Sequence, residues 1–266
     1  MSSDTAINNH GATQDLKPKV TPDEALSILI DLYVADGFDD EKAKSIGSLP
    51  RVEVIRELDS YDDVNYLVKI DGEKALLKIH NGVESEKYIA ARGRKRTKLN
   101  DGDSPGTSII DLHTVIFKHL ESSKYNVTTG RTIPPKKSES NNRPDDSGVC
   151  IRELSVISPE HGPRHLAIRL QTWVHGAPLS SIEWCPLETF VDAGACLGRV
   201  CHALDDLAAS DPDGAAVRAS ERYHLWDGKN LMDSKPYIPH IDDVGRRRLV
   251  TGILDAFQKD IIDGGE

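Results

Sequence analysis

Asn65-Tyr66-Leu67-Val68-Lys69-Ile70-Asp71-Gly72-Glu73-Lys74-Ala75-Leu76-Leu77-Lys78-Ile79 reads as two β-strands around one tight turn. The apolar and β-branched residues on either side suit a pleated surface. Asp-Gly is a pair that accepts the left-handed conformations a two-residue hairpin demands. Just upstream, Val52, Val54 and Arg56 alternate with Glu53, Ile55 and Glu57, and both faces are mixed, as on a sheet edge. Asp59-Ser60-Tyr61-Asp62-Asp63 between them is a cluster of turn formers. Three consecutive strands with short connections predict an antiparallel meander.

Downstream, the pattern breaks over residues 84–108, which are expected to form a solvated insertion. They hold the basic run Arg92-Gly93-Arg94-Lys95-Arg96-Thr97-Lys98, whose other reading is a nuclear-localisation or polyanion patch. Helical periodicity resumes with Ile109, Leu112, Ile116 and Leu120 on one face. Residues 121–149 are rich in Ser, Asn and Pro and are expected to be a second, mobile insertion. Residues 150–157 and 164–174 form a further predicted hairpin, and His175-Gly176-Ala177-Pro178 marks a lobe boundary. A long helix then follows Cys185-Pro186, and another spans 244–262.

On the other side of the meander, residues 1–20 read as a disordered leader. Thr21-Pro22-Asp23-Glu24 is a helix start with a capping box, and Leu26, Leu29, Ile30 and Tyr33 make 22–34 an amphipathic helix.

Composition removes several classes of function. The 266 residues carry 43 acidic against 33 basic side chains, a net charge of −10, which argues against a general nucleic-acid binder, whose phosphate contacts need an excess of Lys and Arg. No run of about 18 apolar residues is present to cross a membrane, and the polar N-terminus has no signal-peptide core. Cys150, Cys185, Cys196 and Cys201 form no C-x-x-C pair and read as reduced thiols, so the expected location is cytoplasmic.

The expected fold is therefore α+β. An antiparallel small lobe with one main helix spans 21–175, and a partial helical large lobe spans 176–266, in the element order of a protein kinase. Lys78, between large apolar residues on a strand, is placed to bind nucleotide phosphates in a dry cleft. It needs a carboxylate on the following helix, and Asp111 is the acid chosen for it.

Leu58-Asp59-Ser60-Tyr61-Asp62-Asp63-Val64-Asn65-Tyr66, Leu77-Lys78-Ile79 and Ile168-Arg169-Leu170-Gln171-Thr172-Trp173-Val174-His175-Gly176 resemble the hydroxylysine kinases. That family belongs to the aminoglycoside phosphotransferase and choline-kinase-like group, with a protein-kinase-like fold. The resemblance runs from about Thr21 to about Ile262. It implies phosphoryl transfer from GTP (or ATP), with Mg²⁺, to the hydroxyl of 5-hydroxylysine, so the implied partners are a nucleotide and a small amino acid. Carried over, Ser60, Tyr61, Asp62 and Asn65 belong to the phosphate-facing loop, Lys78 binds phosphate and Asp111 holds Lys78. Gln171 to Val174, including Trp173, forms the hinge whose backbone receives the base. Asp62 and Asp63 would repel phosphate and are expected to cap turn N–H groups instead.

A kinase of this group also needs an H-[GA]-D-x-x-x-x-N loop and a metal-binding Asp. His240-Ile241-Asp242 has the first spacing, but Arg247 stands where the Asn belongs. Asp255 lies in a segment of helical period. No catalytic or metal-binding residue is assigned, and the expectation is a chain truncated before its catalytic loop that transfers no phosphate as written. The alternative is a pseudokinase-type module that binds a nucleotide or a protein. The helices after Pro178 are expected to leave apolar faces exposed.

Overall fold

The computed structural model describes residues 15–34, 51–94, 108–122, 124–135, 148–178, 181–210 and 227–264. The chain divides into two compact units, one within Ala12–Ser220 and one within Glu221–Glu266.

The first unit is built on a six-stranded antiparallel sheet. The expected meander is present as β1 (Val52–Leu58), β2 (Val64–Ile70) and β3 (Glu73–Ile79). Asp71 and Gly72 turn the β2–β3 hairpin with φ of 53° and 87°, the left-handed pair that this turn type needs. β1 lies at the sheet edge, and its register shifts between Val54 and Arg56, a local irregularity that accounts for its blurred alternation. β6 (Arg164–Thr172) pairs with β3. Its other side is shared by β5 (Cys150–Leu154) and the short β4 (Thr132–Ile133).

Strand alternation gives the sheet two unlike faces. Tyr66, Val68, Ala75, Leu77, Ile168 and Leu170 face the helix α1 (Pro22–Leu29), which buries Ala25, Ile28 and Leu29 against them and continues as a wider turn through Val34. The capping box at Thr21 is formed: its hydroxyl accepts from Glu24 N, and the Glu24 carboxylate accepts from Thr21 N at 2.7 Å. The opposite face carries Ala167, which packs with Tyr88 of α2 (Gly82–Arg94) and Ile110 of α3 (Ile109–Leu120). Thus α1 and the α2–α3 pair sandwich the sheet, where the sequence suggested one main helix.

Three expected segment assignments need correction. Residues 15–20 of the expected leader are ordered, and 1–14 lie outside the described residues. Leu16 and Val20 are in the core, Pro18 bridges to Val156, and Lys19 N donates to Ser155 O at 2.9 Å. Short-range polarity hid a segment that is held by main-chain pairing to a distant strand end. Residues 84–94 are helical and not part of an insertion, with Ser85, Tyr88 and Ala91 buried at helical spacing; 95–107 lie outside the described residues, as does the rest of the basic run from Lys95. In the supposed second insertion, Tyr125 is buried and Thr132–Ile133 joins the sheet, while 136–147 lie outside the described residues.

Helix α4 (Leu187–Ser210) meets α3 around Leu120, Tyr125 and Ala203. The Tyr125 hydroxyl donates to Asp206 Oδ2 at 2.6 Å, and Lys124 pairs with the same carboxylate. The second unit contains a 3-10 segment, Gly228–His240, and the helix α5 (Val244–Phe257), capped by Asp243 through Arg246 N and prolonged to Ile262. Exposed apolar side chains run along both late helices, among them Leu187 (74%) and Leu197 on α4 and Leu249 (64%) and Ile253 on α5.

Candidate functional site

The turn between β1 and β2 is fastened at both ends. Lys17 of the N-terminal segment donates through Nζ to Ser60 O at 2.7 Å and to Tyr61 O at 3.4 Å, while the Tyr61 side chain is exposed. At the other end, Asp63 Oδ1 accepts from the backbone N–H of Asn81 at 2.8 Å and from its amide at 3.2 Å. The same amide donates to Asp62 Oδ2 at 3.3 Å. Asn81 is in turn the cap of α2, its Oδ1 accepting from Glu84 N at 3.0 Å. The turn, β3 and the start of α2 therefore meet at one asparagine.

Lys78 faces this junction and forms a salt bridge with Asp63 Oδ2. Asp111, the acid chosen from the sequence, is elsewhere. Its two carboxylate oxygens accept from Arg92 at 3.1 and 3.0 Å, with Ser108 Oγ a third donor at 2.9 Å. The expected Lys78–Asp111 pair is thus replaced by two others, Lys78–Asp63 and Arg92–Asp111. Arg92, from the run read as solvated, is half-buried and stacks over the Tyr88 ring at 3.6 Å. Because α2 lies between β3 and α3, the nearest acid to Lys78 comes from the preceding turn and not from the next predicted helix.

Beside Lys78, across the β3–β6 ladder, stands Arg169; on the other side, in β2, is Asn65. One row along, Gln171 faces Leu76. Arg169 is only 2% exposed, and its Nη2 lies 3.3 Å from His113 Nδ1. Its Nε and Nη1, Gln171 Nε2 and Asn65 Oδ1 are buried without hydrogen-bond partners among the described residues. Burial lowers the Arg169 guanidinium to about 10, against the field of Asp63, so it remains a cation at neutral pH. His80, fully buried beside the same carboxylate, is driven far below its ordinary range by burial and by the charge of Arg169, and stays neutral. Burial works to raise the Asp63 carboxyl, but the charge and hydrogen bond of Lys78 and the Asn81 N–H hold it below the usual carboxylate range. Burial and the neighbouring Asp63 push Asp62 the other way.

The structure therefore brings Asn65, Lys78 and Gln171 onto one face, with Asp62 at its margin and Ser60 and Tyr61 in the turn leading to it. It does not bring Asp111 to Lys78. Trp173 lines a cavity with Leu170 and Thr172, residues of the other face, and its backbone N–H, like that of Thr172, is already donated within the sheet, to Lys74 O and Arg131 O respectively. Arg169 and Asp63 are the residues that sequence reasoning left without these roles. The available signal for Arg169 was a lone charge inside the apolar run Leu166–Leu170, since a fully buried arginine is rare unless it is paired. Among the described residues, no group of three His, Cys, Asp or Glu side chains could hold a metal ion. No helix among them is long and apolar enough to cross a membrane.

Compared with known protein families, curated proteins and solved structures, the chain has no significant match to any.

Proposed function

We propose that the Lys78 face of the sheet binds the phosphates of a nucleoside triphosphate, and that the chain is a hydroxylysine-kinase-like protein with a protein-kinase-like small lobe. The observation that carries this is the row Asn65–Lys78–Arg169, in which two cations stand side by side and buried donors of Arg169 and Gln171 are unused. Unused buried donors cost free energy in the free protein, and an oxyanion supplies the acceptors they lack. Phosphate oxygens would take Lys78 from Asp63, whose other oxygen stays on Asn81 and keeps the turn in place. The carboxylates of Asp62 and Asp63 oppose an anion, so binding requires them to stay turned toward Asn81.

In this reading the chain's residues bind and orient phosphates, and none of the described residues is assigned as a base or a metal ligand. Mg²⁺ would supply charge neutralisation when bound with the nucleotide, and no residue set described here is assigned to it. Calorimetric titration of GTP and of ATP with Mg²⁺ tests the proposal. Binding of one of them, weakened at least about tenfold by Lys78→Ala, is the expected result, with no phosphorylation of hydroxylysine. Failure of both nucleotides to bind would refute it.

The exposed apolar face of α4, with Leu187 and Leu197, favours a second reading, a non-catalytic module that holds a protein partner through this helix. It predicts nucleotide-independent association that is lost when Leu197 is changed to Glu.

A further inference from the structure

Helix α4 has two apolar faces, and the described residues cover one of them. Val200 and Ala203 pack on Leu120 and Tyr125 of the preceding segment. About a third of a turn round the helix runs a second stripe, Leu187, Phe190, Gly194, Leu197, Cys201 and Leu204, and every one of these residues is exposed. Their spacing alternates between three and four residues, the repeat of a coiled-coil seam. A single exposed leucine needs no explanation, but a seam of this length calls for a second helix laid along it.

The make-up of the stripe specifies that helix. Gly194 stands at its middle, where a Cβ would meet nothing within 4 Å. Glycine weakens a helix interior, and no described residue packs closely enough to require it here. Leu197, 63% exposed, projects from the same stripe one turn on. When the stripe is reversed and laid on itself about a two-fold axis between Ala195 and Cys196, Leu197 of each copy lies over Gly194 of the other. Leu187 then meets Leu204, and Phe190 meets the smaller Cys201. The stripe is therefore its own complement, which is the condition for a closed two-fold contact. Its exposed side chains, with the flanking Val191, offer roughly 600 Å² per copy, so a pair buries on the order of 1,200 Å², the lower edge of the range for stable interfaces.

We propose that α4 is a self-association surface, through which two copies of this chain pair antiparallel along the Leu187–Leu204 stripe. This rests on the second reading above and gives its partner as a second copy of the chain. The seam is apolar and each copy carries a net charge of −10, so the pairing should tighten as added salt screens that repulsion.

Sedimentation equilibrium of the full chain, from about 1 to 100 μM, should show a monomer–dimer equilibrium with Kd in the micromolar range, as suits so small an interface. Leu197→Glu, at an exposed position, should keep its helical circular dichroism and weaken pairing at least about tenfold. The register has its own test. Phe190→Cys places a thiol opposite Cys201 of the other copy, so mild oxidation should join position 190 of one copy to Cys201 of the other, read by peptide mass spectrometry. In the wild-type chain the two Cys201 thiols lie about 16 Å apart along the antiparallel seam, too far for a disulfide. A chain that stays monomeric at about 100 μM, a dimer that Leu197→Glu leaves intact, pairing that weakens with salt, or a disulfide between the two Cys201 thiols as the main oxidation product would each overturn the proposal. A monomeric chain that binds a different protein, and loses it in Leu197→Glu, would also overturn it but would leave the second reading standing.

Discussion

The two faces of the sheet are made by the same strands and do opposite things. Toward α1, Tyr66, Val68, Leu77, Ile168 and Leu170 form a continuous apolar layer. Toward α2 and α3, the neighbouring positions are Asn65, Lys78, Arg169 and Gln171, and several of their polar atoms are buried without partners. The first face stabilises the fold, whereas the second spends stability to hold charge in a dry place. Because side chains alternate along a strand, Leu77 and Lys78 can serve these separate ends one residue apart.

The largest effect expected from breaking this contrast is at Leu77, which is fully buried on the apolar face. Leu77→Ala should cost about 2–5 kcal/mol of unfolding free energy in urea, the range for deleting a buried leucine side chain. Arg169, across the ladder from Lys78 on the other face, should behave differently. Arg169→Met removes a buried guanidinium with unused donors, so it should be neutral to stabilising by about 1–4 kcal/mol, as replacements of buried charge can be, while weakening nucleotide binding. A large loss of stability in Arg169→Met would show that the guanidinium is structural and would erase the distinction between the faces.

A pH series sharpens the same comparison. His80 is neutral in the fold but protonates near its ordinary value of 6.5 when unfolded. The unfolded chain then binds more protons, so stability should fall as pH drops below that value, by at most about 1.4 kcal/mol per pH unit for one proton. Asp63 has a folded value below its ordinary one. Its contribution is present above the ordinary carboxylate range and should be lost as pH falls through that range. Urea unfolding between neutral pH and pH 3 should show both losses, and His80→Gln should flatten the first. Leu77→Val should lower the whole profile without changing its shape.

The smallest effect is expected at Asp111, in a partly exposed ion pair with Arg92. Asp111→Asn should cost about 0–1 kcal/mol, the usual scale for such pairs, and leave nucleotide affinity unchanged. A loss of affinity matching that of Lys78→Ala would restore Asp111 to the role expected from the sequence.

Much of the fold was legible because its signals are local. Asp71-Gly72 had to turn a hairpin, Thr21 to Glu24 had to start a helix, and the alternation of 65–70 and 74–79 had to make paired strands. Residues 84–94 were less legible, because Gly82, Gly93 and the basic run masked a helical stripe of Ser85, Tyr88 and Ala91. Gly82 itself is set by tertiary contact, since a Cβ there would lie 2.9 Å from Leu16 Cβ, where the N-terminal segment crosses. No periodicity within either segment reveals that crossing.

By itself, then, the sequence determined the antiparallel meander, the later hairpin and helices, and the placing of Lys78 on an inner strand. Local backbone preference and strand period suffice for these. Which carboxylate meets Lys78 was decided only by tertiary structure. Asn81 clasps the preceding turn and brings Asp63 in, while α2 places Arg92 where Asp111 is satisfied instead. The pairing of Lys78 with Arg169 across the ladder and the cavity lined by Trp173 have the same origin. They depend on strand register and on how helices pack over each face, and these join residues tens of positions apart, beyond the reach of any local pattern.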